Sequence, residues 1–225
     1  YCSWDNHNKF GSVTPTDIGW DEGMNSFPRG EVEKLPPFTT SLYQSFQTSQ
    51  ITDLITTYGP ILEMWVDIPG VLGKGYRTFL YNYIASLQED IVVMMNTGFG
   101  DGSDVKPDYA WPSDIVAIER DLPPETGHEP WKTVDGKKFY VLGEVCDPIG
   151  KGWFFVDGDP PRSDEVLLGI YNRCGKAGAN LLLNVPPDRS GRIPDEHVRA
   201  LMRLRKNAGL WKYRRYTFCD NLLKS

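Results

Sequence analysis

Short apolar runs alternate along this chain with longer segments of helical period. The run Ile61-Leu62-Glu63-Met64-Trp65-Val66-Asp67 is followed at once by Ile68-Pro69-Gly70. Its β-branched and aromatic residues predict a strand buried in a parallel sheet, and Pro69-Gly70 predicts the turn that leaves it. Residues 91–95 read as a second strand, ending at Asn96-Thr97-Gly98. Residues 115–118 read as a third that delivers Glu119, and 139–142 as a fourth that delivers Glu144. Residues 181–185 read as a last buried strand, closed by Pro186-Pro187. The apolar stretch 153–156 reads as a strand or as part of a site wall.

Helical spacing fills the intervals. Residues 39–57 predict a helix with Leu42, Phe46, Ile51, Leu54 and Ile55 as its stripe, stopped by Tyr58-Gly59-Pro60. Residues 76–88 predict a second, with Tyr76, Phe79, Leu80, Tyr83, Ile84 and Leu87 on one side. Ser163 caps a third that runs to about 176, and 195–206 form the last. Residues 1–4 read as a strand end and 104–112 as a loop. Residues 5–37 are polar and rich in Gly and Pro, longer than an ordinary connection, which suggests a functional loop or an insertion.

Strands alternating with helices place the chain in the α/β class, with a parallel sheet. No G-x-G-x-x-G follows a strand and no P-loop occurs, which disfavours nucleotide chemistry. A (β/α) TIM-type barrel is the expected architecture. Such barrels have eight units in about 250 residues, whereas about five strands are predicted here. The barrel is therefore expected to be incomplete, with its first strands missing. Residues 1–225 read as a single catalytic domain, the later portion of a longer one.

Composition narrows the function classes. Charged residues are 24% and hydrophobic residues 40% of the 225, the balance of a globular chain. The net charge of −6 argues against a nucleic-acid surface, and no apolar run is long enough for a membrane span. Cys2, Cys146, Cys174 and Cys219 show no CxxC spacing and no close His, so no metal site is expected. Their wide spacing leaves disulfides open. Seven Trp and eleven Tyr suit sugar platforms as well as an ordinary core.

Three acids close predicted strands: Asp67, Glu119 and Glu144. The carboxyl edge of a parallel sheet is where β/α proteins place their chemistry. Each acid is also readable as a turn-forming carboxylate. Two carboxyls converging at a barrel mouth can cleave a glycosidic bond, one protonating the leaving oxygen and the other attacking or activating water.

Several stretches together resemble the α-L-fucosidases of glycoside hydrolase family 29. They are Tyr1-Cys2-Ser3-Trp4-Asp5, then Gln50-Ile51-Thr52-Asp53-Leu54-Ile55-Thr56-Thr57-Tyr58-Gly59-Pro60 with Met64-Trp65-Val66-Asp67. Gly143-Glu144-Val145-Cys146-Asp147 with Gly152-Trp153-Phe154 follows, and Asn180-Leu181-Leu182-Leu183-Asn184-Val185-Pro186-Pro187-Asp188 with Gly191-Arg192-Ile193-Pro194 closes the series. The resemblance implies a retaining mechanism with Asp67 as nucleophile and Glu119 as acid/base, and a fucosylated oligosaccharide or glycoconjugate as substrate. It implies no cofactor, and a secreted, periplasmic or lysosomal location. Glu144 then becomes a substrate-contact or supporting carboxylate, with Trp4, His7, Trp65 and Trp153 as candidate sugar contacts. His128 and His197 read as surface residues, and Asn184 as a partner of the Pro186 turn. The stretch at 212–215 reads as a solvated charged tail.

The chain also departs from that family. The family's histidines lie on earlier strands, no Arg follows Asn96-Thr97-Gly98, and Asp67 precedes Ile68 where Gly is commoner. A retaining hydrolase for another deoxy or hexose sugar is one alternative. An inactive fragment or carbohydrate-binding remnant is the other.

Overall fold

The computed structural model describes residues 39–210. The predicted strand end at 1–4, the loop at 5–37 and the charged stretch at 212–215 lie outside the described residues. In chain order the elements are α1 (Ser41–Thr57), β1 (Glu63–Val66), a 3-10 turn (Pro69–Leu72), α2 (Lys74–Leu87) and β2 (Val92–Met95). The short helix α3 (Pro107–Ala110), β3 (Ile115–Glu119), β4 (Trp131–Val134), β5 (Lys137–Tyr140) and β6 (Leu142–Pro148) follow. The last described elements are α4 (Asp164–Ala177), β7 (Asn180–Asn184) and α5 (Asp195–Asn207). Strands β1, β2, β3, β6 and β7 lie side by side in that order, all parallel.

Side chains alternate across each strand, and here the two faces differ in kind. Met64, Val66, Val93 and Met95 point outward and pack with Ile51 and Ile55 of α1 and Leu80 and Ile84 of α2. Val145 and Ile118 do the same under Ile170 and Cys174 of α4. The other face carries Glu63, Trp65 and Asp67 from the first strand, and Glu119, Glu144 and Cys146 from later ones. Glu63 of β1 hydrogen-bonds Glu144 of β6, although three strand spacings separate them, about 14 Å in a flat sheet. The sheet is therefore curled into a half-barrel, with helices outside and a polar inner face.

Local sequence explains most boundaries. Thr40 and Ser163 cap α1 and α4, each accepting from a backbone N–H in the first turn. Gly178 ends α4 at φ 72, a left-handed conformation that favours Gly.

The sequence reading needs four corrections. Helix α1 buries Tyr43, Gln47, Ile51 and Ile55, while Leu42, Phe46 and Leu54 stand exposed. Hydrogen bonds between the hydroxyls of Thr48 and Tyr76 (2.9 Å) and of Thr52 and Tyr83 (2.7 Å) tie α1 to α2 and orient it that way. Next, the expected strand at 139–142 belongs to two elements. Residues 137–140 form β5, the return arm of an antiparallel hairpin with β4, and β6 begins at Leu142. Its turn is Asp135-Gly136, both at positive φ (49° and 75°), a two-residue hairpin signal legible in the sequence. Residues 104–112, read as a loop, contain the helix α3; of the two readings of 153–156, the strand is not formed. Finally, His197 is 3% exposed, and half-buried His128 hydrogen-bonds through Nε2 to the Val141 carbonyl (2.9 Å), so neither is a surface residue.

Arg77 is the largest side chain buried in the outer layer, at 1% exposure. Its Nη2 donates to the Asp108 carbonyl (2.8 Å) and its Nε to that of Trp111 (3.2 Å), pinning the α3 segment to α2. Arg77→Ala leaves two carbonyls without donors and opens a cavity. A loss of about 2–4 kcal/mol of stability is expected, measured by urea denaturation.

Candidate active site

Three residues meet on the inner face at the carboxyl ends of β1, β2 and β3. Asp67 follows β1, Asn96 follows β2 and Glu119 ends β3. The Asn96 Nδ2 donates to Asp67 Oδ1 (2.9 Å) and to Glu119 Oε2 (3.0 Å). The Gly98 N–H donates to Asn96 Oδ1 (2.9 Å), which fixes which side of the amide faces the acids. A planar amide holds its two hydrogens about 120° apart, so two acceptors each served by one of them stand about 5 Å apart.

Electrostatics separates the two acids from ordinary surface carboxylates. Burial pushes the Asp67 carboxyl above its usual range, opposed by the Asn96 amide and the Ile68 N–H. Burial also raises Glu119, which is 8% exposed. The Asn96 bond lowers it again, the Asp67 charge raises it further, and Arg120 and Lys106 oppose that rise. The Tyr109 phenol on α3 is pushed up to about 12, first by burial and then by Asp67 and Glu119. Such a site can hold one proton between two acids and present an ionised carboxylate beside a protonated one.

The backbone after Asp67 is unusual. Ile68 adopts φ 55, ψ 50, left-handed and rare for a β-branched residue. Its side chain is nonetheless buried, at 1% exposure. Gly70, two residues on, leaves no room for a side chain, because a Cβ there would stand 2.3 Å from the Tyr109 ring.

The structure brings together some expected site residues and not others. Half-buried Trp65 lies between Glu63 and Asp67 on β1, on their inner face. Trp153 lies under the Arg120 guanidinium, 4.8 Å from the ring centre, and its carbonyl accepts from Asn184 Nδ2 (2.8 Å). That bond takes Asn184 away from the expected Pro186 turn. Glu144 does not end a strand: it is the third residue of β6, fully buried below the mouth, and Asn180 Nδ2 donates to it (2.6 Å). The misplaced start of β6 accounts for that error. Trp4 and His7 lie outside the described residues. Sequence reasoning passed over Asn96 and Tyr109, since Asn at a strand end reads as a turn residue and Tyr109 belongs to a segment read as loop.

Among the described residues no group of three His, Cys, Asp or Glu side chains is placed to hold a metal ion. Cys146 and Cys174 are buried and unpaired with each other. No described helix is long and apolar enough to cross a membrane.

The sequence model of the family described as Alpha-L-fucosidase matches residues 17–209. The chain belongs to the α-L-fucosidase family. It is similar to Alpha-L-fucosidase 1 of Arabidopsis thaliana, 29% identical over 177 residues that cover 71% of this chain and 33% of that protein. It is also similar to Putative alpha-L-fucosidase 1 of Oryza sativa subsp. japonica, 27% identical over 187 residues covering 72% of this chain and 33% of that one. It thus spans about a third of the length of these curated relatives. Among solved structures, α-L-fucosidase isoenzyme 1 from Paenibacillus thiaminolyticus superposes with a TM-score of 0.58 at 25% identity, covering 81% of this chain and 41% of that chain. Unliganded α-L-fucosidase AlfC from Lactobacillus casei shares the fold with a TM-score of 0.56 at 21% identity, over 80% of this chain and 49% of that one.

The shared amide has a measurable consequence. Asn96→Ala removes a donor that favours the ionised form of both Asp67 and Glu119, so burial is less strongly opposed at each. Both carboxyl pKa values are expected to rise. Titration of the Asp and Glu carboxyl carbons by NMR, in the variant and the parent, measures the shift.

Proposed function

We propose that this protein is a retaining α-L-fucosidase that releases terminal α-L-fucose from oligosaccharides or glycoconjugates by double displacement. The observation that carries the mechanism is the Asn96 bridge. Two oxygens served by the two hydrogens of one planar amide would stand about 5 Å apart, which fits the spacing at which retaining glycosidases hold their working carboxyls. Inverting enzymes separate theirs by about 6.5–9.5 Å to admit a water. Membership of the fucosidase family supports the substrate class.

In this reading Glu119 is the acid. Its buried position and the Asp67 charge beside it favour its protonated form, and it protonates the glycosidic oxygen. Asp67, steadied by Asn96 and the Ile68 N–H, attacks the anomeric carbon and forms a glycosyl-enzyme intermediate. Glu119, now ionised, deprotonates the water that hydrolyses it. No metal or organic group takes part in these steps. Trp65 and Trp153 offer apolar rings to the C6 methyl face of fucose. Trp4 and His7 complete the sugar contacts, and the curled sheet is part of a (β/α) barrel whose remaining strands supply the rest of the pocket.

Hydrolysis of an aryl α-L-fucoside tests the reading. Asp67→Gly is expected to abolish turnover, and added azide to restore part of it as fucosyl azide. Activity that survives the substitution overturns the assignment of Asp67. Glu119→Gln is expected to cost about 10²–10⁴-fold on a natural disaccharide. The cost on an activated aryl fucoside, whose leaving group needs no proton, is expected to be much smaller. Equal losses on both substrates would remove Glu119 from the acid role.

A further inference from the structure

Below the Asp67–Glu119 pair the concave face holds a second pair of carboxyls, for which the mechanism has no use. Glu63 opens β1 and Glu144 is the third residue of β6. Glu144 is 0% exposed. Among the described residues the Oε1 atoms of both are buried and receive no N–H or hydroxyl donor. Two acceptors that face each other with no donor between them need a proton of their own.

The surroundings decide where that proton sits. Asn180 Nδ2 donates to Glu144 Oε2 (2.6 Å), which favours the ionised form of Glu144. Among the described residues Glu63 receives no such donor, and it gives its proton to Glu144. The other groups around the pair do not neutralise it. From β6 comes the Cys146 thiol, pushed up to about 12 by burial and then by Glu119, Glu144, Asp147 and Glu63, so it stays protonated and neutral. Asp147 beside it is held in a two-pronged ion pair by Arg162 (2.5 and 2.8 Å). From β7 the facing group is the neutral Asn180, and Met94 of β2 and Ala117 of β3 carry no charge. Arg120 and Lys106 act on Glu119, and among the described residues no basic group acts on Glu63 or Glu144.

We propose that Glu63 and Glu144 share a single proton, and that this bond braces β1 to β6 across the curl of the sheet only while the proton is present. The brace joins the strand that carries Asp67 to the neighbour of the strand that carries Glu119. The inference does not depend on the fucosidase reading, because it rests on the fold alone.

Burial, then the Glu144 charge and the bond to it, push the Glu63 carboxyl from 4.5 up to about 8. The folded state therefore binds a proton that the unfolded chain releases. The contribution to stability is full below pH 4.5, falls as pH rises to about 8 and is flat above. Within that window the unfolding constant is expected to rise up to about tenfold per pH unit through this group. E63Q keeps a donor toward Glu144 and removes the titration, so the difference in pH dependence between parent and E63Q isolates the pair. The expected result is a shallower fall in melting temperature with pH for E63Q. Identical pH dependence in the two proteins overturns the proposal.

Glutamate-specific carboxyl ¹³C labelling gives a second readout that needs no stable variant of the pair. It is done in the parent and in E119Q, which removes the other buried glutamate of the inner face. One glutamate carbon titrating near pH 8 in both supports the shared proton. Glutamate carbons that all finish titrating below about pH 6 in E119Q, in the ordinary carboxylate range, overturn it.

Discussion

Four carboxyl groups face the concave side of one five-stranded sheet, and the fold has to make them tolerable there. A carboxylate removed from water without a partner costs several kcal/mol. The described residues meet that cost with side-chain amides and with a proton, and with few cations. Asn96 serves Asp67 and Glu119 together, Asn180 serves Glu144, and Glu63 is matched to Glu144. Amides suit the task because they hold an anion without neutralising it. The acids stay chemically responsive, poised near the point where a proton can move.

That solution works because the two faces of the sheet are divided so cleanly. The outward positions are apolar and buried under helices, which holds the strands in register whatever happens inside. The inward positions are then free to carry polar groups that interact chiefly with one another and with nearby backbone N–H groups. The hairpin of β4 and β5 stands where a crossover helix is expected, and its Val134 packs with Val116 and Val141 to close that part of the outer layer. Gly143 belongs to the same contact, since a Cβ there would stand 2.9 Å from Ile118 and 3.0 Å from His128.

Much of this was legible in the sequence. Apolar runs located β1, β2, β3 and β7 to within a residue or two, and Asp67 and Glu119, which close two of those runs, stand at the strand ends their positions implied. The error at β6 came from reading Phe139-Tyr140-Val141-Leu142 as one strand, when Asp135-Gly136 already marked a hairpin and Val141 is the break between two elements. That single slip moved Glu144 from the middle of a strand to its end and gave it a place at the mouth. The face of α1 was misread for another reason. Its buried row contains Gln47, so hydropathy favoured the neighbouring row with Leu42 and Phe46. Asn96 was invisible because its role depends on Asp67 and Glu119, which only the pairing of β2 with β1 and β3 brings to it.

Asp67, Asn96 and Glu119 all lie on one uninterrupted stretch of chain, on three strands adjacent in both sequence and space. No distant part of the polypeptide is required to bring them into register. A gene rearrangement that moved this stretch intact would carry the reacting groups and their spacing as one inheritable unit. Under the proposed double displacement, a lineage built this way could change what it cuts while keeping the stereochemistry of how it cuts.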